Sequence, residues 1–155
     1  MPSRTTRFLA RLPLAAALAC LGVAAQQPLP ASECPQPRFT GKAPDEYYTR
    51  VNPLPSTTDL GAAERIFRGT GRRGNVACAT CHGEKGDGRG PMSSQFDPHP
   101  RNFQCAATVN GIPDGQLFWI IRFGSPGAAM PPHPGLTDEQ IWSSSSTCAR
   151  WRNSA

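Results

Sequence analysis

Cys78, Cys81 and His82 stand together in the run Cys78-Ala79-Thr80-Cys81-His82. The spacing Cys-x-x-Cys-His is that of covalent c-type haem attachment, with two thioethers from the cysteines and an axial iron bond from the histidine. The competing chemistries are a redox dithiol, half of a zinc site and two inert thiols. Zinc requires two further close ligands, and the chain offers only scattered Cys34, Cys105, His99 and His133. A redox dithiol goes with a βαβ pattern of apolar strands, and none surrounds this run. The haem reading leaves the reaction to iron and its porphyrin, so no catalytic acid, base or nucleophile is assigned.

A second iron ligand is expected at Met130. Of the three methionines, Met1 lies in a leader, and Met92 follows His82 so closely that it belongs to the same side of a haem. Met130 sits in Gly124-Ser125-Pro126-Gly127-Ala128-Ala129-Met130-Pro131-Pro132, a stiff non-helical strap able to hold a thioether over the iron. His82/Met130 ligation saturates iron and raises its potential, which suits electron transfer and opposes oxygen or peroxide chemistry. The alternatives are a gap-filling core methionine and a rival ligand in His133.

Several elements must position these groups. Gly83-Glu84-Lys85-Gly86-Asp87-Gly88-Arg89-Gly90-Pro91 is too glycine-rich for a helix or strand, and a loop lying close to a flat cofactor would use such glycines. The carbonyl of Pro91 is the expected acceptor for the second ring proton of His82. Residues 57–68 read as a helix with Leu60, Ala63, Ile66 and Phe67 on one face, capped by Thr58 or Asp59 and ended by Gly69 and Gly71. Residues 113–124 read as another, with Asp114 as cap, Gly124 as stop, and Phe118 and Trp119 over a haem edge or in core.

The flanks fix the setting. Arg4, Arg7 and Arg11 lead into an apolar stretch from Leu12 to Val23, too short to span a bilayer, so residues 1–25 read as a secretory signal peptide. Ala17-Leu18-Ala19-Cys20 loosely matches a lipoprotein box, so membrane attachment is expected only if Cys20 is lipidated. Cleavage removes three of 16 basic residues and leaves 13 against 11 acidic ones. Without a basic patch interleaved with aromatics, nucleic acid is not an expected partner. The remaining chain suits one small domain that needs a cofactor to complete its core. Residues 26–56 carry prolines at 28, 30, 35, 37, 44, 53 and 55 and read as an extended arm, laid over that domain by Tyr47, Tyr48, Val51 and Leu54 or left as a spacer.

From about Gly61 to Trp142 the chain resembles class I monohaem cytochromes c of the bacterial periplasm. The resemblance rests on Cys-x-x-Cys-His, Gly-Asp-Gly-x-Gly-Pro, Asp-Gly-Gln-Leu-Phe-Trp-Ile-Ile, Met-Pro-Pro and Leu136-Thr137-Asp138-Glu139-Gln140-Ile141-Trp142. It implies an all-α fold over residues 57–142, with first and last helices crossing beside one haem c and one haem edge exposed for electrons. It also implies a contact of Arg101 or Trp119 with a haem propionate. The function implied is a periplasmic carrier between a donor dehydrogenase and an acceptor reductase or oxidase. A haem subunit bound permanently to a larger redox enzyme is an alternative. So is a peroxidase-like enzyme with open iron and His133 or His99 as distal base.

The expected departure is residues 143–155. Thr137 and Gln140 form a capping box, but Ser143 to Ser146 are poor helix formers without an apolar face. If those serines are encoded TCG, TCG, TCG and TCT and the following codons permit, residues 143–151 read one base earlier give Val-Val-Val-Val-Tyr-Val-Arg-Ala-Leu, so a frameshift after Trp142 competes with a genuine serine-rich tail. Setting aside Cys20, Cys78, Cys81 and Cys148 leaves Cys34 and Cys105 as a bridge or as two thiols, and an oxidising compartment favours the bridge.

Overall fold

The computed structural model describes residues 34–37, 40–70 and 77–151. The expected signal peptide, Cys20, Gly71 and the start of the arm lie outside them. Among the described residues every regular element is helical, in the order α1 (Asp45–Tyr48), α2 (Gly61–Phe67), α3 (Cys78–His82), α4 (Ala106–Val109), α5 (Asp114–Phe123) and α6 (Asp138–Trp151), with one 3-10 turn at Ser93–Gln95. No helix among them is long and apolar enough to cross a membrane.

The described part of the arm is docked, and it is not wholly extended. Pro44 fixes an extended entry, after which Asp45–Tyr48 turn as α1 against the start of α5. The approach is close because position 115 is glycine: a Cβ there would lie 1.8 Å from the Tyr47 carbonyl oxygen. Fully buried Gln116 bonds both ways, accepting from the Ala43 N–H at 2.7 Å and donating to the Gly41 carbonyl at 3.0 Å. Tyr47 stacks on Phe118, and Leu54 packs against the core cluster of Phe118, Leu136, Ile141 and Trp142. Val51, expected among the anchors, is 78% exposed; Asn52 tethers this stretch instead, donating to the Trp142 carbonyl and Ser146 Oγ.

α2 starts at Gly61 rather than Thr57. Pro55 draws the Thr58 N–H and hydroxyl into a turn, and Asp59 Oδ1 accepts the Gly61 N–H at 2.9 Å, so the backbone enters the helix only at Leu60. At α5 the cap position is Pro113, not Asp114. The Asp114 carboxylate lies in the first helical turn and accepts the Asn52 N–H at 3.2 Å. Gly124 ends the helix at φ 83°, where a side chain would be strained.

α6 corrects the expectation of a broken tail, because helix runs through all four serines to Trp151. The Thr137/Gln140 capping box starts it, with reciprocal bonds of 3.0 and 3.2 Å. The Ser143, Ser144, Ser145, Ser146 and Thr147 hydroxyls each donate to a carbonyl three or four residues back. That satisfies polar groups which burial would otherwise penalise. Packing on α2 and α5 then outweighs weak propensity. The frameshift is therefore not needed to supply a missing helix, although Ser144, Ser145 and Thr147 remain buried polar residues.

Candidate haem site

α3 is barely more than one turn, and its spacing puts the Cys78 and Cys81 thiols on one side, with His82 beside them. All three line a single cavity. The glycine loop wraps α3 from behind: the Gly90 N–H donates to the Cys81 carbonyl and the Met92 N–H to that of Thr80. A Cβ at Gly90 would stand 2.4 Å from the Thr80 oxygen. Gly88 and Gly90 admit protein backbone and Gly86 the rings of Trp151 and Phe103, not a cofactor, since the loop contributes nothing to the cavity wall.

His82 is tautomerically fixed. Its Nδ1 lies 3.0 Å from the Arg101 carbonyl oxygen, which can only accept. Nδ1 therefore carries the proton and Nε2 keeps its lone pair for a metal. Pro91 was expected to be the acceptor; it is exposed and outside the cavity wall, and the Arg101 carbonyl takes that place because the 100–102 segment reaches the imidazole. Phe103 stacks on the ring with centroids 4.8 Å apart. Burial depresses the His82 pKa against the pull of the Arg101 carbonyl, favouring the neutral, ligating imidazole. Burial also pushes the Cys78 thiol up to about 11 and raises that of Cys81.

The facing wall comes from α5 and the strap. Leu117, Ile120 and Ile121 are its apolar part, followed by Ser125, Ala128, Ala129 and Met130. The strap closes on itself through the Ser125 N–H to Met130 carbonyl bond, 3.1 Å, and the His133 N–H returns to the Ile121 carbonyl at 3.1 Å. Ser145 and Cys148 bring α6 to the wall; α2 packs behind α6 and does not reach it.

The structure thus gathers Cys78, Cys81, His82, Arg101 and Met130 around one space, and with them His99, His133 and Thr40. Trp119 is not in the wall; it packs on Phe123. The Arg101 guanidinium donates to the Gln36 and Pro37 carbonyls. Sequence reasoning missed the Arg101 carbonyl and Ser145, and neither carries a signal: one is backbone, the other a serine in an apolar wall.

The cavity opens to solvent and is lined mainly by apolar side chains, with the two thiols, the imidazole and the thioether set among them. The described residues hold no group of three or more His, Cys, Asp or Glu placed to cage a bare metal ion. Two thiols, a neutral imidazole and a thioether around an open, mainly apolar space instead fit a porphyrin that brings its own iron.

Cavity and motif define a c-type cytochrome domain. The family model for cytochrome c oxidase, cbb3-type, subunit III matches residues 68–144, close to half of the chain. The chain is a c-type monohaem cytochrome of all-α fold, with covalently bound haem c and its iron, and belongs among c-type haem electron-transfer proteins. A solved chain of the Kuenenia stuttgartiensis reducing HAO-like protein complex is similar at 21% identity and TM-score 0.46, covering 61% of this chain and 49% of that one. The present chain thus spans about half of that structure. Among curated proteins, none matches.

Proposed function

We propose that this cytochrome is a periplasmic carrier, moving single electrons between a donor dehydrogenase and an acceptor reductase or oxidase. Cys78 and Cys81 would hold the haem through their sulfurs, and His82 Nε2 and the Met130 thioether would bind its iron. The observation that carries this reading is that His82 and Met130 line the same apolar cavity, with His82 already locked as the Nδ1–H tautomer. When bound, haem c supplies a ferric/ferrous couple. The chain supplies little reorganisation: Leu117, Ile120, Ile121 and Phe103 keep water from the site, and the closed strap holds Met130 in place. The signal peptide and the Cys34–Cys105 bridge support an exported protein.

His99 and His133 also face the cavity, which supports a second reading as an open-site, peroxidase-like enzyme. Carbon monoxide separates the two. The carrier reading expects a reversible one-electron redox titration and no carbon monoxide uptake by the ferrous form. Uptake with peroxide turnover overturns it in favour of the enzyme.

A further inference from the structure

The His82 hydrogen bond does not end at Arg101. The accepting carbonyl belongs to the Arg101–Asn102 peptide, and the N–H of that same peptide donates to Gln36 Oε1 at 2.8 Å. Gln36 Nε2 donates to the Pro100 carbonyl at 3.2 Å. One side-chain amide therefore grips the backbone on both sides of Arg101, as a neighbouring strand would. The result is a continuous chain, from His82 Nδ1–H to the Arg101 carbonyl and from the Asn102 N–H to Gln36 Oε1. A peptide that donates through its N–H becomes a better acceptor at its carbonyl, so the two bonds reinforce each other.

Gln36 is itself held. Its N–H donates to Thr108 Oγ1 at 2.8 Å, and its carbonyl accepts from Arg101 Nη1 at 3.4 Å. Two residues earlier, Cys34 is bonded to buried Cys105, with the Cα atoms 5.6 Å apart. The disulfide thus delivers an arm residue, remote in sequence, to the back of the haem-ligand histidine.

We infer that Gln36, secured by the Cys34–Cys105 bridge, is a positioning residue that sets the orientation and acceptor strength of the Arg101 carbonyl toward His82, and through it the reduction potential. The inference rests on His82 being an iron ligand. A stronger acceptor makes the imidazole a stronger donor to iron and favours ferric iron; weakening it raises the potential.

The test uses haem-loaded protein and three variants, Gln36→Leu, Gln36→Glu and Cys34→Ser with Cys105→Ser. Solvent exchange of the His82 Nδ1 proton is read by NMR in the ferrous state, and potential by redox titration. Gln36→Leu keeps bulk and loses both bonds; exchange is expected about fivefold faster, the weight of one ordinary hydrogen bond, with a raised potential. Gln36→Glu keeps an acceptor for the Asn102 N–H and restores slow exchange and a potential at or below the parent value. The bridge-less variant moves both readouts in the Gln36→Leu direction. Unchanged exchange and potential in Gln36→Leu, or a Gln36→Glu protein that behaves like it, overturns the inference. Failure of the ligand reading shows separately, as an unaltered haem spectrum in His82→Gly protein.

Discussion

Phe67 and Trp151 meet edge to face, with ring centroids 4.7 Å apart and planes at 73°. Through this contact the end of α6 closes over α2, and Phe67 is left only 3% exposed. Arg150 and Glu64 add a surface ion pair at 3.2 Å beside it, which contributes little of itself. Trp151→Ala is expected to lower the unfolding free energy by about 2 kcal/mol, below the loss for a fully buried aromatic, because Trp151 is half-buried. Urea unfolding of the haem-loaded protein measures it, and a loss no larger than that of Arg150→Ala contradicts it.

The serine stretch gives a second expectation. Ser145 is 2% exposed, lines the haem cavity and spends its hydroxyl on the Trp142 carbonyl. Ser145→Ala removes a back-bonding hydroxyl and places the best helix former there, for an expected gain of about 0.5 kcal/mol. Thermal unfolding reads the gain, and a loss would show that the hydroxyl is needed. The codons of Ser143 to Ser146 decide the alternative frame: they either permit the four-valine reading or exclude it.

The Cys34–Cys105 bridge closes a loop of sequence separation 71. In the chain-entropy account a loop of this length is worth about 4 kcal/mol. Cys34→Ser with Cys105→Ser should lose most of that in denaturant unfolding, and a loss below about 1 kcal/mol would assign the arm's docking to its noncovalent contacts, those of Gln36, Tyr47, Asn52, Leu54 and Gln116.

Once haem takes Cys78 and Cys81, Cys148 is the remaining free thiol among the described residues. It is 5% exposed, and burial raises its pKa far above the ordinary 9.0. Native protein at pH 8 should leave this thiol unmodified by an alkylating reagent, and denatured protein should expose it. The folded pKa is raised, so the unfolded chain loses its proton first as pH climbs. Stability from this group is complete below about pH 9 and falls above it. Removing that fall with Cys148→Ala is the check; a fall that persists unchanged assigns it elsewhere.

The haem-attachment run was legible because thioether chemistry demands its residues side by side, and the strap because proline and glycine around Met130 leave few other conformations. The acceptor for His82 was not legible, since every residue carries a carbonyl and only the crossing of the 100–102 segment selects Arg101. Propensity correctly marked Ser143 to Ser146 as weak in a helix, and contacts of α6 with α2 and α5 overrode it. The glycine loop was placed beside the haem run but assigned the wrong neighbour: Gly90 meets the backbone of α3.

The most direct test of the central claim is the ferric optical spectrum of haem-loaded protein beside that of Met130→Ala and His133→Ala. The weak far-red band of a methionine-to-iron bond should be present in the parent and in His133→Ala, and absent from Met130→Ala. A parent protein without the band, or a Met130→Ala protein that retains it, would contradict His82/Met130 ligation and the carrier built on it.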